Sequence, residues 1–373
     1  MNAHWLLAAT CVAVLGVTPV AATPPPSPTP AYLPCPLSPA AQAVKTPQPA
    51  SPAPPRDPAA AVVGGAGLGT AGLTLPAGAP APPTIGARTW LVADLDTGLV
   101  VGACGPHERL APASVLKLLL AATALPKLDP AQTVEVTAAD LDIERGSSAV
   151  GLITGGHYQI ETLWLGLLLV SGNDAANTLA RLAGGDAGVA GTLTAMNDLA
   201  HRLGARDTTA HTPHGLDSAG QYTSPYDLAL IARACLEQPN FTRYATAPSA
   251  QIPAQPPRDT RGFQIQNENQ LVLRYQGTLG GKTGYTNAAR HSFVGVAQRG
   301  GRRLVATLLN AEAVPQRGWQ QGQALLDWGF SVPAGTGVGH LVKPGELDQP
   351  AKADPTAAGD PVGDDAPERG HPV

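Results

Sequence analysis

Ser114 and Lys117 stand three positions apart in Leu110–Leu120, which reads Leu-Ala-Pro-Ala-Ser-Val-Leu-Lys-Leu-Leu-Leu. Residues at i and i+3 share a helix face, so this hydroxyl and this amine can meet there. A serine beside an amine is a nucleophile with a base, but only if the amine can lose its proton. On its own the spacing is weak evidence, because a Ser-x-x-Lys occurs about once by chance in a chain this long. Lysine usage adds to it. The chain has Lys45, Lys117, Lys127, Lys282, Lys343 and Lys352, and between residues 85 and 330 only Lys117, Lys127 and Lys282 remain. Arginine serves the general surface and stays protonated, whereas a buried lysine can become neutral.

Two further pieces follow in order, Ser171-Gly172-Asn173 and Lys282-Thr283-Gly284-Tyr285. No histidine lies within any of the three pieces, so Lys117 is the near base for Ser114. Desolvation and a neighbouring positive charge both lower a lysine pKa, and Lys282 can supply that charge. The bland readings are a helix cap for Ser114 or Ser171 and an edge-strand lysine for Lys282. His211 and His214 have a spacing a metal could use, yet no acid or cysteine cluster accompanies them. They read as a structural loop, and neither a metal nor another cofactor is expected.

The elements around these pieces alternate between strands and helices. Trp90 to Cys104 reads as two strands about an Asp96-Thr97-Gly98 turn. The run Leu116, Leu118, Leu119, Leu120 is apolar on nearly all sides, as in a helix buried in a core. Short strand-like pieces are expected at Thr133–Val136 and Gly151–Thr154. Helices are expected over Ile160–Val170, Ala175–Ala183, Gly191–Leu203, Pro225–Glu237 and Pro315–Trp328. Ser292–Gln298, Gly300-Gly301 and Arg303–Asn310 form a hairpin signal. Charged residues are only 14% and the net charge is −4, with no basic stretch, so no nucleic-acid partner is expected.

The flanks differ in texture. Residues 5–20 are apolar and Val20-Ala21-Ala22 fits a cleavage site, so residues 1–22 read as a secretory signal peptide. The rival reading is an uncleaved membrane tether. Residues 23–84, rich in Pro, Ala and Gly, are expected to be a disordered linker, and residues 331–373 a disordered tail. The catalytic domain is expected over residues 85–330.

Pro112-Ala-Ser-Val-Leu-Lys117, Leu169-Val-Ser-Gly-Asn-Asp-Ala-Ala-Asn177, His214-Gly-Leu-Asp217 and Gly281-Lys-Thr-Gly-Tyr-Thr286 together resemble serine-type D-Ala-D-Ala carboxypeptidases, the low-molecular-mass penicillin-binding proteins. The resemblance covers about residues 88–312, and the composition is similar to that of actinobacterial members. It implies an α+β fold of the penicillin-binding protein/β-lactamase type, an antiparallel sheet flanked by helices plus a helical subdomain. It also implies a Ser114 acyl-enzyme, Ser171 as proton relay, Asn173 on a substrate amide, and Thr283 with Lys282 on the terminal carboxylate. Gly284 permits close approach, and the N–H groups of Ser114 and Tyr285 form the oxyanion hole. The implied partners are peptidoglycan stem peptides and β-lactams, outside the cytoplasm.

Asn267-Glu268-Asn269 departs from the family's Asn-Arg-Asn, which leaves the carboxylate contact open. No Glu-x-x-x-Asn element for fast deacylation lies between the second and third pieces, which disfavours a β-lactamase. A D,D-endopeptidase, a transpeptidase and a non-catalytic wall-binding protein remain as alternatives. Removing Cys11 with the signal leaves Cys35, Cys104 and Cys235. Cys235 sits on an apolar helix face and reads as a buried free thiol, and Cys35 can then pair with Cys104.

Overall fold

The structure is a computed structural model that describes residues 32–43 and 62–348. The signal-peptide expectation for residues 1–22 lies outside the described residues. So do residues 23–31 and 44–61 of the expected linker and residues 349–373 of the expected tail.

The chain is organised on one antiparallel sheet. Its long strands are β2 (Ala87–Asp94), β3 (Leu99–Cys104), β8 (Thr278–Thr286), β9 (Arg290–Arg299) and β10 (Arg302–Ala311), in the order β3-β2-β10-β9-β8. Two short strands, β1 (Leu73–Thr74) and β11 (Gly339–His340), pair with different parts of β3. The strands are apolar on both faces because both faces are covered. Along β2, Leu91 and Ala93 face one core while Trp90 and Val92 face the other, the period of two that a pleated strand imposes. The carboxy-terminal helix α9 (Gly318–Ser331) covers the second face. The first is covered by α2 (Lys117–Ala124) and α6 (Pro225–Leu236). Thr307 Oγ1 donates to the carbonyl of Pro225 at 2.8 Å and fastens α6 to β10.

A helical subdomain completes the first core. It contains α3 (Ile160–Leu169), α4 (Asn173–Ala183) and α5 (Gly188–Leu203), the last ending on Gly204 in the left-handed conformation. Small antiparallel pairs β4 (Thr133–Glu135) with β5 (His157–Gln159), and β6 (Ser249–Ile252) with β7 (Phe263–Gln266), lie at its margin. The expected hairpin is present as β9 and β10. Gly151–Thr154, expected as strand-like, is not a strand. The backbone N–H groups of Val150, Gly151 and Leu152 instead donate to the Asp174 carboxylate at 2.9–3.1 Å. That side-chain anchor replaces a ladder.

The folded body is longer than the 85–330 window at both ends. Upstream, α1 (Pro39–Ala43) follows Cys35, which is bonded to Cys104, and Leu68 is fully buried. The ring of His107 bonds to the Val63 carbonyl through Nε2 and to Asp207 through Nδ1. The ligand atoms of His107, Asp207 and Asp227 lie within 4.8 Å of one another, but both imidazole nitrogens are already engaged. Downstream, Leu341 and Val342 are buried, and the Tyr226 hydroxyl donates to the His340 carbonyl while accepting from the Val342 N–H. These segments have linker composition because they build no core of their own. Isolated apolar anchors, one cross-link and backbone bonds to the sheet edge hold them.

Cys235 is a buried free thiol, its pKa pushed up by burial. The Cys35–Cys104 bridge closes a separation of 69 residues. Chain-entropy reasoning gives such a loop about 2–4 kcal/mol. Cys35→Ser is therefore expected to lower the melting temperature by about 5–10 °C in calorimetry. A shift under a degree would show that the upstream segment contributes little.

Candidate active site

Ser114 sits on a tightened turn. Ala113–Leu116 is a 3-10 turn that runs directly into α2, and in such a turn residues i and i+3 eclipse one another. The spacing that only allowed contact in the sequence enforces it here. Lys117 Nζ lies 2.9 Å from Ser114 Oγ, 2.7 Å from Asn173 Oδ1 and 2.8 Å from the His214 carbonyl. Ala113, just before Ser114, has φ 49°, and Ser171 has φ 62°. A non-glycine residue in this region carries about 1–3 kcal/mol of strain, which the surroundings must hold in place.

Lys117 is fully buried. Its pKa is held well below the ordinary lysine value by desolvation first and by the Lys282 charge second, against a partial pull upward from Asp174. A neutral amine offers two donors and one acceptor. The three partners match that inventory: Asn173 Oδ1 and the His214 carbonyl accept, and the Ser114 hydroxyl can donate. The His214 ring is pushed down to about 4 by burial and by Lys117, so at neutral pH it adds no charge.

Lys282 on β8 is buried, and its Nζ donates to the Thr283 carbonyl at 2.8 Å. Burial lowers it to about 8, while the Glu268 carboxylate favours its charged form. Glu268 in turn is raised by desolvation and lowered by Lys282. Gly284 has a steric reason to be glycine. A Cβ there would stand 2.4 Å from Ser292 Oγ and 2.8 Å from the Ser114 nitrogen. β8 therefore passes against the Ser114 backbone.

These pieces converge on a cavity of about 500 Å³, lined among others by Ser114, Ser171, Asn173, Thr283, Gly284 and Tyr285. Of the other expected site residues, Lys117 bonds to the lining residues Ser114 and Asn173, and Lys282 to the Thr283 carbonyl. The Ser171 hydroxyl is buried with no hydrogen-bond partner. It lines the same cavity as Ser114. Other contributors were missed. Ser292 donates to the Pro112 carbonyl at 2.7 Å across 180 residues and ties the Ser114 turn to β9. Asp174 secures the loop 150–152, and Arg317 lines the cavity from the start of α9. The Asp after Ser-Gly-Asn was a signal for the second. The first and third are long-range contacts with no local signature.

Comparison with known proteins agrees with this geometry. Residues 77–313 match the D-alanyl-D-alanine carboxypeptidase family. The chain belongs to that family. The D-alanyl-D-alanine carboxypeptidase DacB2 of Mycobacterium tuberculosis is 44% identical over 271 residues, covering 71% of this chain and 90% of the relative. DacD of Salmonella typhimurium is 33% identical over 67% of this chain, and the chain spans 64% of that protein. A crystal structure of a D-alanyl-D-alanine carboxypeptidase from Mycobacterium tuberculosis superposes with a TM-score of 0.67 at 43% identity, covering 72% of this chain and all of the other. The carboxypeptidase has the expected α+β fold of penicillin-binding proteins, and it is a serine-type hydrolase acting on D-Ala-D-Ala termini.

Lys282 gives a pH dependence with a definite sign. The Lys282 ammonium, lowered to about 8, is the charge that can hold a β-lactam carboxylate, so acylation should fall as pH rises through about 8 and that ammonium is lost. Glu268→Gln removes the carboxylate that favours this ammonium. The descending limb of a β-lactam acylation profile should then move to lower pH. A limb that stays put or moves upward contradicts the coupling.

Proposed function

We propose that Ser114, Lys117, Ser171, Asn173 and Lys282 carry out the carboxypeptidase reaction on peptidoglycan stem pentapeptides. The observation that carries this is the fully buried Lys117 amine in contact with Ser114 Oγ. Lys117 takes the Ser114 proton as Oγ attacks the carbonyl carbon of the penultimate D-alanine. The carbonyl electron pair moves to oxygen, and the N–H groups of Ser114 and Tyr285 receive the charge. Collapse of this intermediate breaks the C–N bond. The proton passes from Lys117 through the unpaired Ser171 hydroxyl to the departing D-alanine nitrogen. Water, deprotonated by Lys117, then attacks the ester carbon and returns Ser114 to its alcohol. A β-lactam acylates the same oxygen, but its leaving nitrogen stays tethered.

Asn173 commits Oδ1 to Lys117, which leaves its NH2 for a substrate carbonyl. Thr283 and Lys282 meet the terminal carboxylate from the β8 side. Glu268 cannot share in this, and Arg317 is a further cation lining the cavity. The Cys35–Cys104 bridge supports action in an oxidising compartment outside the cytoplasm, in line with an amino-terminal export signal. Among the described residues no helix is long and apolar enough to cross a membrane.

The test pairs a fluorescent penicillin with an assay of D-alanine release from a pentapeptide. Wild type should label and release D-alanine, and Ser114→Ala should do neither. Lys117→Arg keeps a cation but cannot yield a base, and should lose about 10²–10⁴-fold in acylation rate. Labelling of Ser114→Ala would move the nucleophile elsewhere. Labelling of wild type without release, or release only when an amine acceptor is added, would favour a binding protein or a transpeptidase.

A further inference from the structure

β8 is the last strand of the sheet, with β9 as its one strand partner among the described residues. Its pairing with β9 ends at Tyr285↔His291 and Thr286↔Arg290. In the reading above the Tyr285 N–H receives the oxyanion charge, and the present inference rests on that reading. Such a donor works by being fixed in advance, yet this one stands one residue from the end of an edge strand. The end of a strand frays unless something ties it down.

The backbone ladder does not supply the tie. β9 and β10 stay in register from Arg299↔Arg302 to Phe293↔Leu308, then shift before His291↔Ala311. Arg290 on β9 and Asn310 on β10, next to this bulge, have φ 56° and 52°. Non-glycine residues keep such angles only where their surroundings hold them. Arg290 is held through its guanidinium. Its Nε donates to Glu312 Oε1 and its Nη2 to Glu312 Oε2, both at 2.9 Å, a fork that sets direction as well as distance. Glu312 is anchored in turn. Its N–H donates to the Gly86 carbonyl at 3.1 Å, and its carbonyl accepts from the buried Gln321 of α9 at 2.7 Å. The same guanidinium lies 5.8 Å from the centre of the Tyr285 ring, with Nη1 3.4 Å from the phenol oxygen. The His291 ring packs against that of Tyr285 with centroids 4.7 Å apart.

We infer that Arg290 and Glu312 are positioning residues for the reaction: their ion pair ties the open end of β8 and β9 to the end of β10, and so holds Tyr285 where its N–H meets the developing oxyanion. Neither residue lines the catalytic cavity. The second tie at this end, Thr286 Oγ1 to Asp217 at 2.7 Å, is exposed and runs to a loop rather than to the sheet.

The test measures kcat and KM for D-alanine release from a pentapeptide, penicillin labelling, and melting temperature. It compares wild type with Arg290→Gly, Arg290→Lys and Glu312→Gln. Losing an oxyanion donor outright costs about 10²–10³-fold in kcat, and displacing one should cost less, about tenfold. Each variant should lose about that in kcat with KM unchanged, because the contact matters only in the transition state. Arg290→Lys belongs with them, since an ammonium cannot reproduce the fork on both carboxylate oxygens. Arg290→Gly should lose activity without a matching fall in melting temperature, because glycine adopts φ 56° freely. The double variant Arg290→Gly with Glu312→Gln should be no slower than either single one. Wild-type kcat in Arg290→Gly or Glu312→Gln, a change in KM alone, or additive losses in the double variant would overturn the inference. So would a loss of kcat that only follows the loss of folded protein. A wild type that labels with penicillin and releases D-alanine leaves the Ser114 reading standing in each of these cases. A wild type that does neither would overturn both readings.

Discussion

An amine with no access to water governs this molecule. A charged ammonium in an apolar interior costs several kcal/mol even after the protein relaxes around it, so a buried lysine tends to give up its proton instead. Lys117 is enclosed by α2, the Asn173 end of α4 and the His214 loop, and its three polar neighbours match a neutral amine. The packing that stabilises this core thereby favours a neutral amine. Nothing on the surface of the chain could do the same, because solvation would restore the charge.

The scaffold is arranged around keeping Ser114 against that amine. A 3-10 turn eclipses the two residues, and the α-helix that continues from Lys117 sinks into the core. Two contacts then hold the turn from the far side. Gly284 lets β8 come within reach of the Ser114 backbone, and Ser292 on the neighbouring strand ties down the Pro112 carbonyl. The positive φ values at Ala113 and Ser171 make sense on this footing. Each residue is forced into a sparsely populated conformation beside the cavity, and the sheet on one side and the Asp174-anchored loop on the other bear the strain.

What could be read from residue order follows the range of the interaction. The Ser114–Lys117 contact is local, so spacing allowed it, and Ser171-Gly172-Asn173 with Lys282-Thr283-Gly284 gave that spacing its weight. The β9–β10 hairpin was legible for the same reason, a period of two about a Gly300-Gly301 turn. Ser292 was not, because its meaning depends on a carbonyl 180 positions away. The segments around Leu68 and Val342 were misread as structureless. Their composition describes chains that cannot make a core, and it says nothing about chains that complete another's core. Gly151–Thr154 fails differently. Its apolar residues suggested pairing, but the Asp174 carboxylate satisfies the backbone there without a partner strand.

The two buried lysines show how one kind of side chain takes two roles. Both are stripped of water, which pushes both pKa values down. They part because Lys282 has Glu268 nearby while Lys117 has Lys282. The anion keeps Lys282 close to 8, so it stays charged at neutral pH. That charge then drives Lys117 lower still. Pairs of titratable groups pushed apart by their surroundings divide acid, base and electrostatic work between them. On this reading the glutamate at 268 is more than a departure from the family's arginine. It cannot bind a carboxylate as an arginine would, and it favours the Lys282 ammonium, whose charge adds to desolvation in lowering Lys117.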